Sequence, residues 1–312
     1  MRYSIVITCY NQRQFIAEAV ESALSQKDSI REVIVVDDGS RDGSTDILKL
    51  YKSSIQLLGL PTNRGAIEAR NRGAALARGD YLIFLDGDDL FLPWTLDVYE
   101  QLVSRRRPSL IVSGVRYFAG PVPVFGTADV PERLEFVEYE ALMNKDRPHG
   151  WFTNAIVISR QAFANAGGWT PGIFHLDDVD MVSKLGYCGK SILVYSPYTA
   201  LYRMHAGNTI NFVPPFLHSA RLIIERERAG LYPGGQKKKL ERYAFHGGMV
   251  FFWTRKGLEA GLYAGALRLA ACGWPMILAA VLRKSIVAVK GRRRVEVSKL
   301  SRECSRLYTP KV

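Results

Sequence analysis

Hydrophobic positions in the first part of the chain alternate between two periods. Tyr3 to Tyr10, "YSIVITCY", is a continuous apolar and β-branched run of the kind a parallel sheet buries on both faces. Asn11 and Gln12 then open a helical pattern in which Ile16, Val20 and Leu24 recur every four residues. The alternation then repeats. A strand is predicted over Glu32 to Val36, then a Gly- and Ser-rich loop, then a helix capped near Ser44 or Thr45. A short strand over Ile55 to Leu58, a helix over Ala66 to Ala77 and a strand inside "GDYLIFLDGDDLFLP" follow. The helical pattern from Thr95 to Val103 stops at Arg105-Arg106-Arg107-Pro108, and "SLIVSGVRYF" predicts another strand. Residues 119–148 are irregular and contain several prolines. "NAIVISRQAFANAGGW" combines a strand, a helical turn and a Gly-Gly bend, and "FHLDDVDMVSKLGYCGKSILV" leads an acidic cluster through a helix into a strand. Beyond Pro214 the pattern is of amphipathic or strongly apolar helices. Strand and helix alternating with short connections predict an α/β fold, with a mostly parallel mixed sheet flanked by helices and a C-terminal helical extension.

Acidic residues collect where these strands end. Asp37 and Asp38 follow one strand, and Asp86, Asp88 and Asp89 follow another. In open α/β sheets, ligands bind outside the carboxyl ends of the strands, so both clusters are expected to face one crevice. Three carboxylates packed this closely repel one another unless a positive charge shares them. Carboxylate oxygens suit a hard divalent cation such as Mn²⁺ or Mg²⁺, which usually bridges to substrate phosphates; an Asp-rich solvated turn, with Asp89 capping the next helix, is the other reading. Asp38 is placed to accept hydrogen bonds from a base or ribose. No G-x-G-x-x-G follows the first strand and no G-x-x-x-x-G-K-[ST] occurs, which disfavours nicotinamide and flavin cofactors and removes the P-loop nucleotidases.

The segments "VITCYNQ", "VVDDGSRDGSTD", "NRGAIEARNRGAALARGDYLIFLDGDD" and "LDDVDM" together resemble the family 2 glycosyltransferases, inverting enzymes with a GT-A fold, across residues 3–211. The resemblance implies a GT-A-like catalytic domain over residues 1–213, its nucleotide-binding half ending near residue 110 and its acceptor-binding half over 111–213, followed by a helical region over 214–312. It implies that Thr8, Tyr10, Asn11 and Asp38 line the nucleotide pocket, and that Asn63, Arg64, Gly65, Arg70 and Asn71 close over nucleotide and diphosphate. Asp86 and Asp88 match the D-x-D motif, Asp88 nearest the metal and Asp86 nearer ribose or sugar, with Asp89 a secondary candidate. The family commonly has Glu-Asp-x-Asp where this chain has Asp177-Asp178-Val179-Asp180. Asp178 then matches the catalytic base, with Asp177 and Asp180 in support, although acids at a helix N-terminus are also favoured by the helix dipole alone. Trp169 resembles an aromatic beside donor or acceptor and equally suits a core. "LYRMHAGNTI" resembles the family's R-x-H-x-x-N segment, in which His205 could ligate the metal or hold a phosphate and Arg203 could pair with the diphosphate. His149 and His175 lie near these loops with no pattern behind them. The implied partners are a nucleotide-diphospho-sugar donor and a glycan or lipid-linked acceptor.

Charge sharpens the picture of the C-terminal third. Residues 283–312 hold ten Lys or Arg against two Glu, so eight of the chain's net +12 belong to this stretch. That distribution suits an anionic membrane surface and makes nucleic acid an unlikely partner. Leu269 to Leu282 gives 14 uncharged residues before Arg283, short of the roughly 20 that cross a bilayer. The expectation is therefore a cytoplasmic protein with no signal peptide, lying peripherally on the inner face of the cell membrane. Cys9, Cys188, Cys272 and Cys304 form no C-x-x-C pair, so neither a zinc site nor a disulfide framework is expected. Two rivals are a sugar-phosphate nucleotidyltransferase, which normally carries a glycine-rich loop where this chain has "TCYNQRQF", and a non-catalytic membrane or nucleic-acid scaffold, which has no need of paired acidic clusters.

Overall fold

The structure is a computed structural model that describes residues 1–26, 31–126, 129, 133–139, 153–209 and 212–290, with side chains of the last helix described as far as residue 284. His149, much of the 119–148 excursion, Cys304 and the basic residues beyond Lys290 lie outside the described residues.

The strands in chain order are β1 (Tyr3–Cys9), β2 (Arg31–Asp37), β3 (Gln56–Gly59), β4 (Tyr81–Asp86), β5 (Leu90–Phe91), β6 (Leu110–Val112), β7 (Val115–Phe118), β8 (Glu135–Tyr139), β9 (Ile156–Ser159), β10 (Ser191–Ser196) and β11 (Ala200–Arg203). The helices are α1 (Ile16–Leu24), α2 (Ser44–Leu50), α3 (Ala66–Leu76), α4 (Thr95–Arg106), α5 (Arg160–Asn165), α6 (Asp177–Leu185), α7 (Pro214–Arg228), α8 (Lys239–Glu259) and α9 (Tyr263–Lys290). Eight strands form one sheet in the order β3-β2-β1-β4-β9-β6-β10-β8, and β5-β11-β7 form a second, small sheet. The pairs among β1 to β4 are parallel, whereas β9 runs antiparallel between β4 and β6, and β8 is an antiparallel edge. The expected mixed, largely parallel α/β sheet is therefore present.

The apolar runs are explained by burial on both faces. Alternate side chains of a strand point to opposite sides: Val6, Ile34, Val36, Leu82 and Phe84 join one core, and Ile5, Ile7, Val33, Val35, Ile83 and Leu85 join the other. The first core continues without a break into α7, α8 and α9 through Phe216, Ile223, Phe245, Trp253 and Met276. Helices α8 and α9 pack backbone to backbone, because a Cβ on Gly247 would lie 1.9 Å from the Met276 carbonyl oxygen.

Four local expectations change. Helix α1 begins at Ile16 rather than at Asn11, because Asn11 has a positive φ of 52° and the loop is tied elsewhere. The Asn11 and Gln12 N–H groups donate to Ser40 Oγ and Ser44 Oγ, each at 2.9 Å, and Asn11 Oδ1 accepts from Arg41 N–H at 2.9 Å. Ser44 is consequently the first residue of α2 behind Gly43, and its hydroxyl serves the neighbouring loop rather than a cap. Within the stretch expected to be irregular, Glu135–Tyr139 pairs with β10 as a short charged edge strand, the form by which sheets discourage further pairing. Finally, α9 starts at Tyr263 and continues through exposed Arg268, ahead of the uncharged run that begins at Leu269. Tyr263–Lys284 has the length and composition of a membrane span, 22 residues at hydropathy 1.6, and 22% of its most apolar window is buried.

Candidate active site

Parallel register sets the side chains that matter next to one another. Thr8 lies opposite Asp86 and Cys9 opposite Asp37, so the carboxyl ends of β1, β2 and β4 open side by side. A cleft of about 1330 Å³ lies outside them. The following turn can pack there because residue 87 is glycine: a Cβ would sit 2.2 Å from Gln12 Oε1 and 2.9 Å from the Thr8 carbonyl oxygen.

Tyr10, Asn11, Asp38, Asn63 and Gly65 line the cleft at this end. Asp38 is buried, and its two oxygens accept the Arg64 and Gly65 N–H groups at 2.7 Å each. It thus holds the loop before α3 in place, each oxygen keeping a second lone pair. Arg64 contributes its amide to this contact, while its side chain is exposed and is not part of the cleft wall.

Arg70 joins the two halves of the site. Its guanidinium donates from Nη2 to Asp86 Oδ1 at 2.7 Å and from Nη1 to Asp177, with the Trp169 ring 5.6 Å from its carbon. Burial works against its charge, but Asp86 and then Asp177 outweigh it and raise its pKa above the ordinary arginine value. Asp86 Oδ1 also accepts from Thr8 Oγ1 at 3.2 Å, and Asp177 from Thr153 Oγ1 at 3.2 Å. Asp178, on the first turn of α6, is half-buried and faces the cleft, one oxygen accepting the Val179 N–H at 2.7 Å.

Several residues expected at the site are engaged by the protein itself. Asp89 borders the cleft but is buried, and it accepts the Arg203 N–H at 2.9 Å and the Asn154 amide at 2.7 Å, so it braces the turn. Burial, then repulsion from Asp88 and Asp86, raises its pKa well above the usual carboxylate value. Arg203 is not exposed for a diphosphate: Nε donates to the Asp88 carbonyl at 2.9 Å, Nη2 pairs with Glu18, and the rings of Phe15 and Phe118 flank it at 4.8 and 4.7 Å. Trp169 is fully buried against Phe84 and Phe163, the placement of a core side chain. Asn71 is engaged with the Trp169 backbone, donating to its carbonyl and accepting its N–H at 2.9 Å each. Asp180 is also an internal anchor, bonded to Thr170 at 2.5 Å and Tyr232 at 2.7 Å, with Lys184 and Arg226 both at 3.3 Å.

The D-x-D turn presents Asp88 to the cleft. Burial, and then Asp86, raises the pKa of this carboxyl, opposed by His205. A carboxylate at the cleft beside a second one, Asp86, is of the kind that would hold a divalent cation together with substrate phosphates. Among the described residues, however, no group of three His, Cys, Asp or Glu could hold a metal by itself. His205 Nε2 lies 3.0 Å from Asp88 Oδ2, and its Nδ1 accepts the Gly207 N–H at 3.1 Å. With Nδ1 accepting, the ring proton is assigned to Nε2, which makes His205 a donor to Asp88 rather than a lone-pair ligand. Ligation by Nε2 requires that proton to move to Nδ1 and the Gly207 contact to be given up.

Phe15, Thr153, Asn154 and Phe174 in the cleft wall, and the lining from α8 and α9, carry no motif in the sequence. Phe245, Gly248, Met249 and Phe252 recur at helical spacing, a signal of an apolar stripe with no indication of what it faces. His175, with φ 64°, stacks on Phe216 at 4.8 Å and lines the cleft.

Comparison with known proteins matches this arrangement to a family. An "Uncharacterized glycosyltransferase" of Haemophilus influenzae is 28% identical over 194 residues, which are 58% of this chain and 61% of that protein. The Escherichia coli protein named "UDP-Glc:alpha-D-GlcNAc-diphosphoundecaprenol beta-1,3-glucosyltransferase WfaP" is 41% identical over 91 residues, 28% of this chain and 36% of that one. The matched part thus spans less than two thirds of either relative. Among solved structures, S. aureus TarS 1-349 in complex with UDP-GlcNAc superposes with a TM-score of 0.62 at 16% identity, covering 80% of this chain and 72% of that one, a likeness of fold. Residues 4–164, more than half of the chain and the part that carries β1 to β9, match the model described as "Glycosyl transferase family 2", and the chain belongs to that family.

Proposed function

We propose that the chain transfers a sugar from a nucleoside diphosphate to an acceptor hydroxyl, with inversion at the anomeric carbon. The observation that carries this reading is the single cleft in which Asp86 and Asp88, at the end of β4, meet Asp178, at the start of α6. Thr8, Tyr10, Asn11, Asp38 and the loop at Asn63 and Gly65 receive the nucleotide. Asp178 takes the proton of the acceptor hydroxyl as its oxygen bonds the anomeric carbon; the bond from that carbon to the diphosphate breaks, and its electron pair leaves on the diphosphate oxygen. Asp177 and Arg70 hold the start of α6 against Asp86, so the base and the D-x-D turn keep one spacing.

Asp88 is the residue to hold Mn²⁺ or Mg²⁺ with the donor's own phosphates, and His205 orients its carboxylate. When bound, the ion neutralises charge on the leaving diphosphate. The acceptor is a glycan or a lipid-linked sugar, and the apolar α9 together with the basic residues after it seats the chain peripherally on the cytoplasmic face of an anionic membrane.

Binding and hydrolysis of a panel of UDP-, GDP- and dTDP-sugars, with and without Mn²⁺, test the reading on the wild type and Asp88→Ala. One nucleotide class is expected to bind and turn over only with metal, and the variant to lose turnover. Binding of no nucleotide-sugar, or equal turnover by Asp88→Ala, overturns it.

A further inference from the structure

Shortly before Asp178 the chain turns through His175 at φ 64°. Left-handed backbone is uncommon for a residue with a side chain and persists where the surroundings hold it. Here the Ser219 hydroxyl of α7 donates to the Phe174 carbonyl, and the Phe174 ring lies against Gly65, where a Cβ would come to 3.0 Å. The turn delivers the His175 imidazole to the cleft wall, half-buried. It stacks on Phe216 of α7, centroids 4.8 Å apart at 27°, and Phe216 stacks in turn on Trp253 of α8 at 3.8 Å and 15°. Phe216 and Trp253 are buried, so a column of three rings fixes the plane of the imidazole from the C-terminal helices. Packing accounts for a face of the ring but not for its nitrogens. Neither Nδ1 nor Nε2 has a hydrogen-bond partner among the described residues, and both remain open to solvent. The charges acting on the ring are those of Asp177, Arg70 and Asp86, the group that Arg70 ties together across the cleft. Burial holds its pKa below the ordinary 6.5, so near neutrality the ring offers one N–H and one lone pair, the two kinds of contact a sugar hydroxyl uses.

In a transfer with inversion the anomeric carbon sits between the leaving diphosphate, at Asp88, and the acceptor oxygen, at Asp178. The body of the donor sugar then occupies the stretch between the D-x-D turn and the start of α6, where His175 lies beside Asp86 and Asp177. We propose that His175 is a specificity-determining residue for the donor sugar: its imidazole hydrogen-bonds a hydroxyl of the transferred sugar, at an orientation fixed by the Phe216–Trp253 column. This inference rests on the transferase reading and adds to it a contact that sorts sugars carried by the same nucleotide. A sugar that lacks the hydroxyl, or turns it away, leaves a desolvated polar ring without its partner and is rejected for that reason. The column also gives α7 and α8 a share in the choice of donor.

Two substitutions separate hydrogen bonding from packing. His175→Gly suits the left-handed backbone and deletes the ring, whereas His175→Phe restores the stack on Phe216 and carries no polar side-chain atom. With Mn²⁺ and the full chain, kcat/KM for hydrolysis is measured on UDP-glucose, UDP-galactose and UDP-xylose, on GDP-mannose, GDP-glucose and GDP-fucose, and on dTDP-glucose and dTDP-galactose. The Kd of UDP, GDP and dTDP is measured alongside. Within the nucleotide class it uses, the wild type is expected to favour one sugar. Both variants are expected to reduce that preference by about tenfold or more, while the Kd of the free nucleoside diphosphate stays at the wild-type value. A wild type that treats the sugars of one nucleotide alike overturns the proposal, as does retained discrimination in His175→Gly. Discrimination restored by His175→Phe overturns it too, since the effect then belongs to the stack. A loss of free nucleoside diphosphate binding in parallel with discrimination does the same, by assigning the loop to the nucleotide site. His175→Gly carries no strain at this φ, so its outcome stands whether or not the phenylalanine variant folds. Turnover of no nucleotide-sugar by the wild type removes the transferase reading itself, and it is read before the variants are compared.

Discussion

Replacing Arg70 asks whether one buried guanidinium holds the two halves of the site together. Its side chain is 7% exposed, and its partners differ: Asp177 is 9% exposed and Asp86 34%. Solvent screens the Asp86 arm, so most of the interaction lies with Asp177. Arg70→Met strands a buried carboxylate, and breaking a buried pair in this way costs about 3–5 kcal/mol. Arg70→Lys keeps the charge but loses the fork; an ammonium placed between the two acids gives up one charged hydrogen bond, about 1.5–3 kcal/mol. Urea unfolding of the two variants and the wild type measures both figures. The cycle with Asp177→Asn then isolates the pair, and a coupling of about 1–3 kcal/mol is expected for groups in direct contact. In the same variants kcat falls while the donor Kd stays near the wild-type value, because α6 loses its tie to the D-x-D turn. A cost below about 1 kcal/mol for Arg70→Met, or a coupling below about 0.5 kcal/mol, would show that Asp177 is satisfied without Arg70 and would refute the reasoning.

Asp178→Asn is expected to lower kcat by about 10²–10⁴-fold with donor Kd unchanged; a change of similar size in Kd would move Asp178 from base to binding group. Gly87→Ala forces the turn away from the Thr8 carbonyl, which a Cβ would approach to 2.9 Å. The variant should lose about 1–3 kcal/mol and bind Mn²⁺ more weakly, and wild-type values in both titrations would sink the close-packing argument. Burial lowers the pKa of His175 from its ordinary 6.5, with Asp177 opposing. A depressed folded-state pKa contributes stability above the unfolded value and loses it as pH falls through the folded one. The wild type should therefore lose stability relative to His175→Asn as pH drops below neutrality; a difference constant between neutral and mildly acidic urea titrations contradicts this.

The strands of the first half were legible because burial on both faces leaves near-continuous apolar runs, as in Tyr3–Cys9 and Tyr81–Asp86. The placing of acids at strand ends was legible for the same reason, since the end of an apolar run is the end of a strand. Orientation was not. Asp88 and Asp89 are neighbours in sequence and both border the cleft, yet Asp89 is buried and taken up by the Arg203 N–H and the Asn154 amide. Nothing in the letters separates a cation exposed to ligand from one enclosed between Phe15 and Phe118. Nor does sequence assign the ring proton of His205, which follows from the Gly207 amide against Nδ1. Helix α9 was underestimated because Arg268 interrupts the composition without interrupting the helix.

Helix α6 ties these observations together. Residues three apart share a helix face and adjacent ones do not, so Asp177 and Asp180 turn inward to Arg70 and Tyr232 while Asp178 faces the cleft. One turn further on, Ser183 Oγ lies 2.8 Å from His246 Nε2 on α8, and the same ring approaches Glu227 of α7 at 3.7 Å. Arg242 of α8 pairs with that glutamate at 2.8 Å. The helix that carries the proposed base is therefore fixed from both sides, by the D-x-D half through Arg70 and by the C-terminal helices through a buried polar network. A division after residue 213 crosses that network and the hydrophobic cluster around it.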